Sequence, residues 1–397
     1  MASERTILCL NVGSSSCKFS LYGPDDKPQA AGEVEKIGLT GGVLRMRSAS
    51  DDTIAEIRRD YADQRQAIDA LCDEMKRHAV PEADAVGHRV VHGGANHIAP
   101  ERVTPALIAD LERLIPYAPN HMPGAIAGMQ AIASRFPNLP QVACFDTAFH
   151  RKMPQVAERF ALPSALYDEG LRRYGFHGIS CEYVMHTLGP SRPAKIVIAH
   201  LGNGASMTAV RDGVGMDTSM GLTPMGGFMM GTRSGDLDPG VLLYLMKEKG
   251  LDARQIEDLV DRRGGLLGVS GISSDMKTLL DRRSGDPAAA IAIEMFCYQL
   301  RKQVGAFAAA MDGLDLLVFA GGIGERAPAI RAEVCSGLAH LGIALDPTLN
   351  ASNADTISAS GGGCKVRIIF TNENLMIAKR TRALVFKSGG DGEEPNP

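Results

Sequence analysis

The chain of 397 residues contains no tryptophan, and only 5% of its residues are aromatic. It has no run of five or more basic residues, and its formal net charge is −4. The negative net charge and the lack of a basic run argue against a surface that binds nucleic acid or an anionic membrane. No uncharged apolar stretch approaches a membrane span, since the uncharged segment 218–232 is broken by glycine and proline. Any cationic site in this protein must therefore be local.

The cysteines form no C-x-x-C pair, which argues against a disulfide framework or a zinc ribbon. We interpret them as reduced, mostly buried small side chains of a cytoplasmic protein. The first residues also lack the long apolar core and small-residue cleavage site of a secretion signal. The eight cysteines are Cys9, Cys17, Cys72, Cys144, Cys181, Cys297, Cys335 and Cys364.

Two common nucleotide motifs are missing as well. The chain has no G-x-x-x-x-G-K-[ST] loop, and the clusters GNGASM from Gly202 and GGIGER from Gly321 do not complete G-x-G-x-x-G. A Walker-type or Rossmann site is therefore not expected. The turn at Gly321 follows the apolar segment 316–319, where a planar base can lie against the backbone, although ordinary strand-to-helix turns look the same.

What the sequence does have is an internal repeat. Residues 7–21 align without a gap with residues 196–210, and the second copy begins 189 residues after the first. Each copy predicts a β-hairpin whose loop is made of glycine, serine and asparagine, with Gly13 and Gly202 in the same place. Loops without bulky side chains leave backbone N–H groups free to approach an anion. Two such loops can hold a polyphosphate from both sides.

The length exceeds that of one ordinary hydrophobic core, so we expect two domains. Apolar segments typical of strands alternate with helical patterns such as residues 64–78, which predicts an α/β protein. The repeat predicts two similar halves, 1–149 completed by a helix over 375–387, and 150–374. The polar tail 388–397 is expected to be disordered. The predicted strands include 7–10, 86–91, 141–145, 196–199 and 316–319.

Eight motifs, in order, resemble the acetate kinase family of the superfamily that joins acetate and sugar kinases with Hsp70 and actin. The resemblance covers residues 7–381. The motifs are NVGSSSCK from Asn11, GHRVVHGG from Gly87, FDTAFH from Phe145, RYGFHG from Arg173, HLGNGAS from His200, MGTRSGD from Met230, GGIGE from Gly321 and TNE from Thr371.

This resemblance implies two similar domains with a duplicated ribonuclease H-like (actin-like) core and an active-site cleft between them. It also implies the reaction ATP + acetate ⇌ ADP + acetyl phosphate with Mg²⁺ or Mn²⁺, carried out by a homodimer. The chemistry agrees with the residues, because a carboxylate is already ionised at neutral pH and needs no strong base. The difficulty is to bring one anion up to another, so the site should be rich in cations.

The resemblance also implies roles for particular residues. Arg89 holds the acyl carboxylate, and Arg233 and His177 stabilise the transferring phosphoryl group. Asp146 either orients the catalytic arginine or assists the proton balance. Asn11 and Glu373 match the metal-binding positions. The acyl pocket is implied to contain Val91, Asn120, Phe176 and Pro224. The nucleotide-binding positions are Ser16, Lys18, His200, Leu201, Gly202, Asn203, Gly204, Asp275, Met276, Lys277, Gly322, Ile323, Gly324, Glu325 and Arg326.

Three positions depart from the family pattern. Asn120 replaces a leucine of the acyl pocket, Gly226 replaces a glutamate near Arg233, and Lys277 replaces an arginine on the adenine side. A kinase of propionate or another small acid is therefore an alternative. A second alternative is an ATP-driven binding module of the Hsp70 or actin type. Against it, no peptide-binding domain follows the core, and such a module would not need both Arg89 and Arg233.

Overall fold

The computed structural model describes residues 5–386. Its strands are β1 (Ile7–Val12), β2 (Ser16–Tyr22), β3 (Pro28–Glu35), β4 (Val43–Ser48), β5 (Thr53–Arg58), β6 (Ala85–Val90), β7 (Glu101–Arg102), β8 (Gln141–Phe145), β9 (Lys195–Leu201), β10 (Ala205–Arg211), β11 (Val214–Thr218), β12 (Leu316–Ala320) and β13 (Lys365–Ile368). Its α-helices are α1 (Gln64–Arg77), α2 (Pro105–Arg113), α3 (Met122–Arg135), α4 (Gln155–Glu158), α5 (Ser164–Asp168), α6 (Gly178–Leu188), α7 (Pro239–Glu248), α8 (Ala253–Asp261), α9 (Gly265–Ser270), α10 (Met276–Arg282), α11 (Pro287–Ala310), α12 (Gly321–Arg326), α13 (Pro328–Cys335), α14 (Pro347–Ala351) and α15 (Glu373–Phe386). Short 3₁₀ turns occupy Ile115–Tyr117, Ala148–His150 and Ala339–Leu341.

The described residues divide into two compact units, the first formed by 5–149 and 372–386 and the second by 150–371. The predicted second half includes residues 372–374, but in the structure these residues belong to the first unit. Tyr22 donates a hydrogen bond to the side chain of Asn372 (2.8 Å), and the thiol of Cys9 donates to the carbonyl of Asn374 (3.2 Å). These contacts attach the start of α15 to the first unit. Residue 387 of the predicted helix and the predicted tail 388–397 lie outside the described residues.

The first unit is built on a sheet of eight strands in the order β5-β4-β3-β2-β1-β6-β8-β7. Helix α15 covers one face, where Gly87 on β6 leaves room for Ile377 and Thr381. Helix α3 covers the other face, and its Gly128 lies against Val12 of β1. Because neighbouring residues of a strand point to opposite faces, a central strand covered on both sides is apolar, as residues 7–10 of β1 are.

The second unit contains a sheet of five strands in the order β11-β10-β9-β12-β13. The longest helix, α11, begins at the N-cap Asp286, whose side chain accepts from the backbone of Ala288 and Ala289. Its buried face carries Phe296, Leu300 and other apolar side chains at helical spacing. This apolar stripe anchors the helix in the core of the second unit.

The two sheets share one topology. In the order β3-β2-β1-β6-β8, the first three strands are antiparallel and the last two run parallel to β1. The order β11-β10-β9-β12-β13 has the same directions. This agreement confirms the predicted α/β fold with a duplicated core.

Both repeats form the predicted hairpins, but their pairing differs by one residue. In the first hairpin Val12 pairs with Cys17, whereas in the second Leu201 pairs with Ala205. At the offset of 189 residues the counterpart of Cys17 is Ser206, not Ala205. The gapless alignment of the sequences therefore does not extend to the strand register, because the second loop is shorter by one residue.

Candidate active site

Arg89 and Asp146 stand on neighbouring parallel strands of the first unit. Arg89 pairs with Cys144 across β6 and β8, and the backbone N–H of Asp146 donates to the carbonyl of Val90 (2.9 Å). The carboxyl ends of parallel strands meet at one edge of a sheet, which brings these two side chains together. Nε of Arg89 lies 3.1 Å and Nη2 2.7 Å from Oδ2 of Asp146. The Asp146 side chain is only 1% exposed, so this bidentate contact is sheltered from water.

Glu373, the first residue of α15, completes what we call the first-unit cluster, namely Arg89, Asp146 and Glu373. Its Oε2 lies 3.2 Å from Nη1 of Arg89. Burial by itself lowers the pKa of Arg89, but the charges of Asp146 and Glu373 outweigh burial and raise the pKa. The guanidinium therefore keeps its charge at every physiological pH.

The first glycine-rich loop belongs to the same unit. Gly13 N–H donates to the carbonyl of Ser16 (2.8 Å), and Asn11 faces the exposed Lys18 across β1 and β2. The first turn of α3 packs tightly on this loop, because a Cβ at Gly124 would lie 2.4 Å from the carbonyl oxygen of Gly13. Gly124 is thus required for the close approach of helix and loop.

The predicted metal-binding residues, Asn11 and Glu373, come from adjacent elements. Cys9, two residues before Asn11 on β1, bonds to the carbonyl that follows Glu373 by one residue. Within residues 5–386 no group of three or more His, Cys, Asp or Glu side chains is arranged to hold a metal. Mg²⁺ takes one or two protein oxygens together with substrate phosphates and water. The amide of Asn11 and the carboxylate of Glu373 are donors of the right kind for such a site.

In the second unit, His177 precedes α6 with left-handed backbone angles (φ 57°, ψ 26°). Its Nδ1 lies 2.9 Å from the hydroxyl of Ser206, and its ring stacks on His200 with centroids 4.3 Å apart. His200 is itself held by Ser180, whose hydroxyl lies 2.8 Å from Nδ1. The hydroxyl of Ser206 and the stacked ring of His200 thus fix the orientation of the His177 imidazole.

Arg233 is held in the same unit by Asp261 and by a backbone carbonyl. Its Nε lies 3.2 Å from Oδ1 of Asp261, and its Nη1 donates to the carbonyl of Pro224 (3.2 Å). Burial lowers the pKa of Arg233, and the charge of Asp261 opposes that effect. The side chain is 17% exposed, so the guanidinium is mostly desolvated yet reachable.

His177 and Arg233 converge beside the second glycine-rich loop. A Cβ built on Gly204 would lie 3.3 Å from Nη1 of Arg233 and 3.5 Å from Nε2 of His177. The loop is tied to the segment before Arg233, since Gly231 N–H donates to the carbonyl of Asn203 (3.0 Å). We call His177, His200, Ser206 and Arg233 the second-unit cluster.

The glutamate expected at position 226 is absent, but Arg233 still has a carboxylate partner in Asp261. Beside Gly226, the side chain of Asp236 accepts from the backbone N–H of Gly227 (2.8 Å). The charge of Arg233 is therefore balanced without a carboxylate at position 226.

Several predicted nucleotide-binding residues have structural tasks. The carboxylate of Glu325 is buried, and its Oε1 accepts from the backbone N–H groups of Gly321 (3.1 Å) and Thr371 (3.0 Å). Gly321 itself has φ 72° and lies so close to Leu201 that a Cβ would be 2.8 Å from its carbonyl oxygen. Glu325 thus shapes the turn between β12 and α12, and contact of its side chain with a nucleotide stays a prediction.

Asp275 is the N-cap of α10. Hydrogen bonds from the backbone and side chain of Thr278 lower the pKa of Asp275. Met276 and Leu201 are buried, at 3% and 0% exposure, so contact of either residue with a nucleotide stays a prediction. Four other predicted positions offer exposed or half-exposed surface in the described structure. These are Lys277, Gly322, Ile323 and Arg326, while Gly324 is buried.

The predicted acyl-pocket residues belong to different units. Val91 and Asn120 are half-buried in the first unit, whereas Phe176 and Pro224 are buried in the second. Their common role in an acyl pocket stays a prediction.

Two residues that hold His177 and Arg233, namely Ser206 and Asp261, were not predicted from the sequence. Ser206 is the last residue of the motif HLGNGAS, so the motif contained the residue without indicating its contact with His177. Asp261 lies in no motif and is 28 positions from Arg233 in the chain, a separation that no local pattern reveals.

The comparisons with known proteins agree on one protein family. The model of the acetokinase family matches residues 6–379. An acetate kinase of Rhodopseudomonas palustris is 46% identical over 387 residues, covering 94% of this chain and 96% of that protein. The crystal structure of Porphyromonas gingivalis acetate kinase has a TM-score of 0.87 and 39% identity, covering 96% of this chain and 100% of that chain. A propionate kinase from Francisella tularensis has a TM-score of 0.91 and 36% identity, with the same coverage. No helix in residues 5–386 is both long and apolar enough to cross a membrane. With its family model, its relatives and its duplicated core in agreement, this chain belongs to the acetokinase family.

Proposed function

We propose that this protein is an ATP-dependent kinase of acetate that forms acetyl phosphate reversibly. The observation that carries the proposal is a pair of mostly buried guanidiniums, Arg89 and Arg233, each held by a carboxylate. A site for two anionic substrates needs cations whose position is fixed before the substrates arrive. Two of the three relatives named above are acetate kinases, which supports acetate as the acceptor.

Arg89 is proposed to bind the carboxylate of acetate. Two like charges about 4 Å apart repel each other by roughly 1 to 4 kcal/mol, depending on how far water screens them. A fixed guanidinium offsets this repulsion. Asp146 and Glu373 accept from the Arg89 guanidinium and hold it in one orientation. Acetate must therefore share some of the guanidinium N–H groups with these two carboxylates.

Arg233 and His177 are proposed to stabilise the phosphoryl group in transfer. An oxygen of acetate forms a bond to the γ-phosphorus, the bond from that phosphorus to ADP breaks, and ADP leaves with the electron pair. The equatorial oxygens carry negative charge throughout, so donors aimed at them lower the barrier. The guanidinium of Arg233 and the imidazole of His177 converge beside Gly204, which supports this role.

The glycine-rich loops are proposed to hold the phosphates. Helix α12 and the start of α10 are proposed to hold the adenosine. The proposed positions are Ser16 and Lys18 on the first loop, 200–204 on the second, 275–277 and 322–326. Mg²⁺ or Mn²⁺, bound with the nucleotide, supplies positive charge to its phosphates. Asn11 and Glu373 would hold the metal ion through oxygen atoms.

The protein is proposed to act in the cytoplasm as a homodimer. Helix α7 has no buried residue, and its apolar side chains Val241, Leu243 and Tyr244 are 42%, 53% and 52% exposed. Tyr298 of α11 is 59% exposed in the same unit. Exposed apolar side chains concentrated on one helix are typical of subunit contacts. Light scattering of the wild type and of Leu243→Glu tests this, since only the wild type should have the mass of a dimer.

The acceptor is tested by an ATP-dependent hydroxamate assay with acetate, propionate and butyrate. We expect turnover with acetate and loss of turnover in Arg233→Ala. A propionate kinase is the second candidate, favoured by the likeness to a propionate kinase structure, and Asn120 replaces the leucine of the family's acyl pocket. A higher kcat/KM for propionate than for acetate would select it, and no turnover with any acid would reject both.

A further inference from the structure

Arg173 lies four residues before His177 and uses its guanidinium to bind backbone carbonyls. Its Nε donates to Ala157 (3.2 Å). Its Nη1 donates to three consecutive carbonyl oxygens, those of residues 218–220, at 3.1, 3.2 and 3.3 Å. A planar fork with several N–H groups can serve such a row of acceptors, and a neutral side chain of similar size cannot.

The segment that Arg173 holds leads towards Arg233. The next residue after Arg173, Tyr174, donates its N–H to the carbonyl of Gly221 (3.0 Å). Three residues further on, the carbonyl of Pro224 accepts from Nη1 of Arg233 (3.2 Å). Arg173 therefore fixes the start of the loop that orients the Arg233 guanidinium.

The segment 218–220 is also connected to His177 by hydrogen bonds. Ser219 and Met207 exchange two hydrogen bonds, N–H to carbonyl and N–H to hydroxyl, both 2.9 Å long. Met207 follows Ser206, the residue whose hydroxyl lies 2.9 Å from Nδ1 of His177. A closed ring of covalent and hydrogen bonds thus passes through Arg173, Ser219, Met207, Ser206 and His177.

We propose that Arg173 is a positioning residue for phosphoryl transfer, which sets His177 and Arg233 relative to each other. This inference rests on the proposed function of those two residues. Misplacement of a group by about 1 Å can lower the rate about 100-fold, even when the change is remote from the reacting atoms. Arg173 itself touches neither substrate nor the transferring group in this proposal.

The kinetic test compares Arg173→Gln with the matched control Arg159→Gln. Arg159 is an exposed arginine of the same segment whose guanidinium lies over the ring of Tyr167 (3.9 Å). For Arg173→Gln we expect kcat to fall about 100-fold, with both KM values within about twofold of the wild type, because ground-state binding does not depend on this alignment. Arg159→Gln is expected to keep the wild-type kcat. A wild-type kcat in Arg173→Gln, or a loss that appears only as higher KM values, would overturn the proposal.

A second readout needs no turnover. In protein labelled with ¹⁵N-histidine, the ring nitrogens of His177 report its tautomer and its contact with Ser206. We expect the His177 signals to shift in Arg173→Gln and to stay in place in Arg159→Gln. Unchanged signals would overturn the positioning role even if the wild type phosphorylates acetate. A wild type without acetate kinase activity would instead reject the proposed function and leave this readout intact.

Arg173→Lys covers the case in which Arg173→Gln does not fold. A single ammonium group can reach residues 218–220 but cannot bond to Ala157 at the same time. We therefore expect an intermediate kcat and an intermediate shift of the His177 signals. Wild-type values for both in Arg173→Lys would contradict the inference.

Discussion

Oε2 of Glu373 lies 3.2 Å from Nη1 of Arg89, so the residue proposed to hold the metal also balances the cation proposed to bind acetate. Helix α15 begins at this glutamate, and its attachment to β1 and β2 brings the C-terminal segment into the first unit. One carboxylate thus serves two positively charged partners in the proposed reaction.

Glu373→Gln should weaken metal binding while it leaves the fold unchanged. We expect the affinity for Mn²⁺ in the presence of ADP, measured by electron paramagnetic resonance, to fall roughly tenfold or more. Glu112→Gln, a change at an exposed acid on α2, is the control and should bind Mn²⁺ as the wild type does. Equal Mn²⁺ affinities in all three proteins would remove Glu373 from the metal site.

Arg89→Ala should lower kcat and raise the KM for acetate, because it removes the cation that offsets the charge of the acceptor. The loss of one preorganised charge partner costs about 2.7 to 4 kcal/mol, or about 10²- to 10³-fold in rate. Asp146→Asn keeps the shape of the partner but removes its charge, so a smaller loss in the same direction is expected. Steady-state kinetics at saturating ATP measure both. Full activity of Arg89→Ala would contradict the proposed acyl site.

Arg233→Ala should act mainly on kcat, since Arg233 is proposed to bind the phosphoryl group most tightly in the transition state. The expected loss is again about 10²- to 10³-fold. Arg263→Ala is the control, because Arg263 is a nearby arginine with a 60% exposed side chain paired with Asp258. A loss of the same size in Arg263→Ala would show that the effect is not specific to Arg233.

Asn120→Leu restores the apolar residue that the family has at this position. If Asn120 lines the acyl pocket, kcat/KM for acetate should rise relative to an acid with a polar group on the acyl carbon, such as glycolate. One side chain in contact with one or two carbons discriminates by about 1 to 3 kcal/mol. The assay compares acetate, propionate, butyrate and glycolate. Unchanged ratios across the four acids would place Asn120 outside the pocket.

Two buried histidines predict an acid-sensitive stability. Burial lowers the pKa of His88 to about 4 and that of His150 to about 4. In the unfolded chain the pKa is about 6.5, so below that pH the unfolded state binds more protons than the folded state. The free energy of unfolding should therefore fall as the pH drops from about 6.5 to about 4, by about 3 kcal/mol for each histidine.

Urea denaturation at several pH values in this window measures the slope. His88→Asn should show a flatter dependence on pH than the wild type, because one of the two titrating groups is gone. Lys277→Gln, a change at an exposed residue, should follow the wild-type slope. Parallel slopes for His88→Asn and the wild type would show that His88 does not govern acid sensitivity.

The sequence by itself determined the local elements. Helix α1 was predicted over residues 64–78 and occupies Gln64–Arg77, because the N-cap Asp63 and the apolar spacing of Ile68, Leu71 and Met75 act within a few turns. The strand over 141–145 was predicted with the bounds that the structure shows. Both hairpins followed from the repeat, because a glycine-rich turn between apolar runs is a local signal.

Tertiary structure alone decided the contacts between residues distant in the chain. The one-residue difference in hairpin register, the pairing of Arg233 with Asp261 and the contact of His177 with Ser206 depend on how whole elements pack. The attachment of residues 372–374 to the first unit rests on Tyr22 and Cys9, which lie 350 and 365 positions before their partners. Such contacts form when burial brings remote polar groups together and each must find a partner, a requirement that no window of sequence contains.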